Sequence, residues 1–221
     1  RDVNLTNVTA DAGTTGATSV KAEEKNRVEL TADVATLSVG DVAIGVDNAF
    51  LDLAHATDIK LDKSLLKGKN VTVGTYLDNN PRNEQDQFGG IDNVTIAASI
   101  AISPTTLISG AVNVVMNKVN ITGTSGITVT DTDILATGGN VTLEANDRTK
   151  AATHLWGIAG STILGVNTIW SWVQNTHTMG ISFENTNGAG INTVSGDRIF
   201  VGTKNTTNLS AEAKGVAVGL V

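Results

Sequence analysis

A chain of 221 residues with 40% apolar content is long enough and apolar enough to bury a core, which argues against intrinsic disorder. Aromatic residues make up only 4%, which excludes a core built on large rings and leaves its volume to Val, Ile, Leu and Ala. A net charge of −7 and a pI of about 4.8 offer no basic stripe for phosphates, so nucleic acid is not an expected partner, and the absence of cysteine excludes disulfides, thiolate nucleophiles and Cys-ligated metals.

About 31 Thr and about 21 Asn stand beside 23 Gly and 2 Pro, a balance of strand-forming and turn-forming residues. A turn-plus-strand phrase returns along the chain. Gly68-Lys69-Asn70-Val71-Thr72-Val73-Gly74-Thr75 is one copy, Gly138-Gly139-Asn140-Val141-Thr142-Leu143-Glu144-Ala145 a second, and Gly196-Asp197-Arg198-Ile199-Phe200-Val201-Gly202-Thr203 a third. Gly40-Asp41-Val42-Ala43-Ile44-Gly45-Val46 is a shorter relative. Such a return signals a solenoid, whose units bury an apolar face only by stacking on neighbours.

In chain order, Val3/Leu5, Val28/Leu30 and Val42/Ile44/Val46 alternate with polar residues, as half-buried strands do, and residues 22–27 read as a charged loop or short helical turn. Residues 50–54 and 59–61 continue the strand pattern, with Lys60, Lys63, Lys67 and Lys69 on outward faces and turns. Residues 78–90 are the most polar segment and predict a protruding loop. Residues 94–117 and 151–183 then carry no charge, and Gly110-Ala111-Val112-Asn113 in the first aligns with Gly165-Val166-Asn167-Thr168 in the second. A membrane span is set aside because Pro104, Asn113, Gln174, Asn175 and many Thr and Gly interrupt them; strands with a neutral outer face, able to pack rod against rod, are expected. The chain opens without a signal peptide and ends in an apolar run, so both ends are expected to be cuts through a longer array. At roughly 20 residues per coil the chain would make about 10 rungs, a rod on the order of 50 Å long.

Motifs for chemistry are sparse. His55, His154 and His177 lie at no metal-ligand spacing, although His154 and His177 could meet across stacked rungs. Asp131 and Asp133 share a strand face, with Asp58 and Asp62 loosely similar one unit earlier; a solvated turn is expected over calcium binding or acid/base work. No phosphate loop, dinucleotide fingerprint or Gly-x-Ser-x-Gly is present. No catalytic, cofactor-binding or metal-binding residue is therefore assigned, and no cofactor is expected. Trp170 and Trp172 share a face of one strand and are the candidate ligand contacts. Facing outward they could stack on sugars; facing inward, with Trp156 near, they fill the core. Core or inter-rod packing is the expected role. Asn-x-Ser/Thr recurs, at Asn70 and Asn140 for example, as turn-strand grammar rather than as glycosylation sites.

Asn140-Val141-Thr142-Leu143-Glu144-Ala145-Asn146, the apolar strands around Gly157-Ile158-Ala159-Gly160 and Gly165-Val166-Asn167, and the stretch from Leu209 to Gly219 resemble the repeats of large bacterial exoproteins, the filamentous-haemagglutinin-like and leukotoxin-like adhesins. The resemblance runs from about Val28 onward. It implies an all-β fold, a right-handed parallel β-helix, with export through an outer-membrane transporter by a type V pathway and contact with a host or neighbouring cell. Residues 1–221 are accordingly expected to form one solenoid segment with short loop insertions. The expected role is a structural shaft or adhesive rod at the bacterial surface. Its partners would be a surface receptor or glycan, with self-association into fibres possible by side or end contact. A β-helix enzyme acting on polysaccharide, or a self-assembling extracellular fibre, is the alternative.

Overall fold

The computed structural model describes residues 1–39, 42–79, 90–102, 109–186 and 191–219. Of the loop expected over 78–90, residues 80–89 lie outside these, as does Pro104. The described chain is all-β. Its strands are β1 (Asp2–Thr6), β2 (Thr9–Asp11), β3 (Ala17–Lys25), β4 (Val28–Val39), β5 (Val42–Asp62), β6 (Leu65–Gly68), β7 (Asn70–Asp78), β8 (Ile91–Ile102), β9 (Gly110–Thr130), β10 (Asp133–Ala136), β11 (Asn140–Ser161), β12 (Leu164–Asn175), β13 (Thr178–Glu184), β14 (Thr193–Ser195) and β15 (Arg198–Gly219). Residues 22–25, expected as loop or helical turn, are the end of β3.

Three parallel sheets result. A front sheet holds β1, β5, β9, β12 and β13; a short edge sheet holds β2, β6, β10 and β14; a back sheet holds β3, β4, β7, β8, β11 and β15. The chain passes front, edge, back and front again. In the front sheet Val42 pairs with Gly110, and Gly110 with Leu164. In the back sheet Ala17 pairs with Asn70, and Val71 with Val141. The shortest of these circuits has the separation of 53 seen between Asn26 and Asn79, and the longest the separation of 70 between Asn79 and Thr149. The coil is therefore about three times longer than the common size expected. The pairing gives four layers where about ten were expected. Strands of 21 and 22 residues run along each long face, about 70 Å of contour at ~3.3 Å per residue, while four layers stack over only about 15 Å. The segment is wide and short along its stacking axis, where a narrow rod was expected.

Alternation of side chains decides what lies between the front and back sheets. Near the edge sheet the inward residues are large. Ile59, Leu61, Leu66, Val71, Val73, Ile127, Val129, Ile134, Val141 and Leu143 form one buried cluster. They recur in columns: Leu66 pairs with Ile134, and Val73 with Leu143. At the opposite end, where β4, β8 and β11 turn towards β5, β9 and β12, the inward residues are small, and Ala43, Ala101, Ala111 and Ala159 make the cluster. The sheets close together there. A Cβ added to Gly157 in the back sheet would sit 2.7 Å from the Asn167 amide in the front sheet.

The corner from front to edge sheet repeats in three coils. Asn7, Lys63 and Asp131 all have positive φ (56°, 47° and 46°), and each follows a front strand. Their N–H groups donate to Asp62 O, Thr130 O and Glu184 O one coil on. The next residue caps the turn through a side chain. Val8 N donates to Ser64 Oγ at 3.2 Å, Ser64 N to Thr132 Oγ1 at 3.2 Å, and Thr132 N to Asn192 Oδ1 at 2.9 Å. Asn and Asp tolerate the left-handed region, but lysine does not gain there. Lys63→Gly is expected to raise stability by about 1 kcal/mol, the relief of a left-handed L-residue offset by glycine's unfolded-chain entropy, read by urea denaturation. Thr132→Val, which leaves Ser64 N without its buried acceptor, is expected to cost about 1–3 kcal/mol in the same measurement.

Candidate functional site: an outward aromatic ladder

On β5, β9 and β12 the even-numbered residues point out of the coil. Trp170 is 49% and Trp172 37% exposed, whereas Ile169, immediately before them on the inward face, packs onto the buried Ala97, Val115 and Leu155. Strand parity thus sends both indoles outward; of the core and inter-rod packing roles expected for them, core filling is ruled out. Parallel pairing sets Phe50 beside Lys118 and Lys118 beside Trp172. The Phe50 and Trp172 ring centroids lie 6.1 Å apart, tilted at 52°, and Lys118 Nζ lies 5.8 Å from the Trp172 centroid. The ladder is an aromatic platform with a cation over it, suited to stacking and to polar groups at its rim. Trp156 is not part of it. It points outward from the back sheet, where it stacks on His154 with centroids 6.1 Å apart.

His154 and His177 do not meet across the coils. His154 lies on the outer back face, its Nδ1 at 3.1 Å from Glu212 and its Nε2 at 3.8 Å from Asp92. Burial raises the Asp92 carboxyl above its ordinary range, only partly opposed by the His154 charge; Glu212 is held below its range by Lys214 and then by His154.

His177 is inside the coil. Its Nδ1 approaches Asp147 to 3.1 Å, with both side chains fully buried, but without hydrogen-bond alignment, so the contact is electrostatic. Its Nε2 lies 3.3 Å from Ser125 Oγ, which lies 2.5 Å from Thr57 Oγ1. Ser125, His177 and Asp147 follow the order of a hydrolytic triad. Yet Ser125 and Asp147 are wholly buried, and the serine hydroxyl is already engaged by Thr57. The trio is a strut between front and back sheets. A second strut sits two layers away, where His55 Nδ1 meets Glu24 at 2.9 Å and Asn26 donates to Glu24 at 2.6 Å. Burial pushes Glu24 up, and the hydrogen bonds from Asn26 and His55, with the His55 and N-terminal charges, carry it below its ordinary range. In the coil between, the corresponding residues are Leu77 and Gly123. Gly123 has φ 134°, and a Cβ there would collide with the His55 carbonyl, so only glycine fits. Sequence reading missed both struts. Their signal was a carboxylate followed by a histidine half a coil later, a spacing of 31 for Glu24 and His55 and nearly the same for Asp147 and His177.

The four acids that could have served polysaccharide chemistry are not gathered. Asp62 lines a shallow groove with Lys60, Thr128 and Glu184. Asp58 accepts from Thr124 Oγ1 at 3.1 Å, Asp131 is bound by Thr186 at the corner, and Asp133 belongs to the edge sheet. Among the described residues no group of three His, Cys, Asp or Glu is placed to hold a metal ion.

A raised folded-state carboxyl pKa means that stability is fullest in acid and is lost as pH climbs from the ordinary Asp value through the raised one. Asp92→Asn is therefore expected to raise the thermal midpoint at about pH 7 and to leave it unchanged near about pH 3, where both side chains are neutral. A midpoint lowered at neutral pH would mean that the His154 contact outweighs the burial. Comparison with protein-family models, curated proteins and solved structures finds no match to this chain.

Proposed function

We propose that residues 1–221 form one segment of a right-handed parallel β-solenoid, in the shaft of a large secreted bacterial surface protein that reaches, displays and adheres. The resemblance to filamentous-haemagglutinin-like and leukotoxin-like repeats supports this reading. So does the parallel register, which carries every described strand onto a strand one coil away. Right-handedness follows the general rule for parallel crossovers. Such a chain would be passed outward through an outer-membrane transporter and would work at the cell surface.

The observation that carries the adhesive reading is the outward ladder of Phe50, Lys118 and Trp172, with Trp170 beside it. Its rings and ammonium face solvent on a rigid sheet and spend none of their area on the core. Parallel stacking repeats outward positions from coil to coil, so a surface receptor or glycan would be met at many weak points, and avidity would supply the strength. The expected partner chemistry is a sugar ring stacking on an indole, with hydroxyls towards Lys118.

The test is binding of the chain to an array of bacterial and host glycans. Trp170→Ala with Trp172→Ala is expected to lower binding by roughly tenfold or more, since aromatic anchors dominate such contacts. Because the rings are outward, the thermal midpoint should stay unchanged. Unaltered binding by the double variant, or no binding by the parent chain, would remove the adhesive role from this face.

A further inference from the structure

On the outer face of the back sheet, away from the edge sheet, β4, β8, β11 and β15 lie side by side in four layers. Outward side chains stand there in columns of four. Asp33, Ile96, Trp156 and Lys214 form one column. Ala35, Ala98, Ile158 and Val216 form the next, and Leu37, Ile100, Gly160 and Val218 the third. Ile96, Ile100 and Ile158 are 43%, 41% and 45% exposed, and Leu37 68%. A contiguous apolar patch of this kind marks an interaction surface.

The columns are ordered so that the face fits itself. Half a turn of a second copy about an axis along the strands, between β8 and β11, sets β4 of one copy against β15 of the other and β8 against β11. Ile100 then stands over Gly160, Ala98 over Ile158 and Ala35 over Val216, large against small each time. A Cβ added to Gly160 would meet nothing within 4 Å, so the hollow there is open to the outside. At the margin of the patch Asp33 meets Lys214. Within one chain three layers, about 14 Å at ~4.8 Å each, keep these two apart. Asp33 makes no ion pair among the described residues, and the Lys214 side chain is 63% exposed beside Glu212.

We propose that this face is a homodimer interface, its occupant a second copy of this chain related by that twofold axis. Charge sets the orientation: both Asp33–Lys214 pairs form together, as an isologous contact requires. The front face fails the same test. Its middle strand there is β9, so the equivalent half-turn sets Lys118 against its own counterpart and Ile44 against Val166, like charge on like and large on large. With Thr31, Val94, His154 and Glu212 as a rim column, the back patch covers about 500 Å² on each copy and about 1,000 Å² together, at ~6.6 Å per outward position and ~4.8 Å per layer. That is the lower end for a specific interface, so a weak, reversible dimer is expected. The ladders of Phe50, Lys118 and Trp172 are left facing outward on opposite sides of the dimer, which doubles the valency of each unit. The stacking axes of the two copies run in opposite directions. On the shaft reading, on which this consequence alone rests, they are shafts arriving from two facing cells.

The test is sedimentation of the full chain over a concentration series, where a monomer–dimer equilibrium is expected. Ile100→Asp, with unchanged circular dichroism, should weaken dimerisation tenfold or more, and Ile44→Asp on the front face should leave it intact. Asp33→Lys and Lys214→Glu should each weaken self-association. Mixing those two variants should restore dimers, because the twofold pairs each changed residue with an opposite charge on the other copy. A monomer at every concentration overturns the proposal. So do dimers lost with Ile44→Asp but not with Ile100→Asp, or variants that mixing does not rescue. Species growing beyond the dimer mean front-to-back packing and overturn it as well. Glycan binding by a chain that stays monomeric would remove the dimer and leave the adhesive reading standing.

Discussion

Parallel pairing between coils is the constraint on which everything else rests. It sets each residue directly beside the residue one coil away, so chemistry is shared by column rather than by neighbourhood in sequence. A column of Val73 and Leu143 makes core, a column of Ser64 and Thr132 caps a corner, and a column of Phe50, Lys118 and Trp172 makes a surface. Long strands hold these columns in register, and because side chains alternate with a period of two, a slip of one residue would exchange inside for outside along a whole face. The left-handed residues at Asn7, Lys63 and Asp131 fix that register at one corner of three of the four coils.

The two ends of the coil answer different demands. Large residues near the edge sheet keep the front and back sheets apart and bury apolar area. Alanine, glycine and serine at the other end let the sheets close, and asparagine amides tie one backbone to the other. The histidine struts stand between these regimes, where the gap between sheets is spanned by one imidazole and one carboxylate. Buried pairs of this kind contribute little net stability, but they penalise any register that would separate the partners.

Much of this is legible in the amino-acid sequence, the coil length included. The phrases at Asn70-Val71-Thr72, Asn140-Val141-Thr142 and Arg198-Ile199-Phe200 are the very segments that the structure pairs column by column. Their own spacing is the coil, and a common coil size taken from other solenoids conceals it. Aligning Gly110-Ala111-Val112-Asn113 with Gly165-Val166-Asn167-Thr168 glycine on glycine finds the right strands and misses their register by one, since Gly165 pairs with Ala111. The phrase beginning at Gly40 belongs to another column, because Val42 opens a front strand while Val71 and Val141 lie in the back sheet. The orientation of Trp170 and Trp172 is not legible, because valine, isoleucine and tryptophan alternate with small and polar residues equally well either way. Only packing volume settles it: the narrow end has no room for an indole between sheets that Gly157 and Asn167 already bring into contact.

So long a coil also dictates how the chain must come together. Almost every ladder joins residues a full circuit apart, so the relative contact order is roughly a quarter of the chain length, beyond the range in which small domains fold quickly. No strand can find its partner until a whole circuit has been traced, and the first closure carries the loop entropy without a template. Each later circuit lays down against a finished edge. Assembly is therefore expected to be slow to begin and progressive afterwards, layer upon layer from one seed, so that a chain delivered from one end would set in the order in which it arrives.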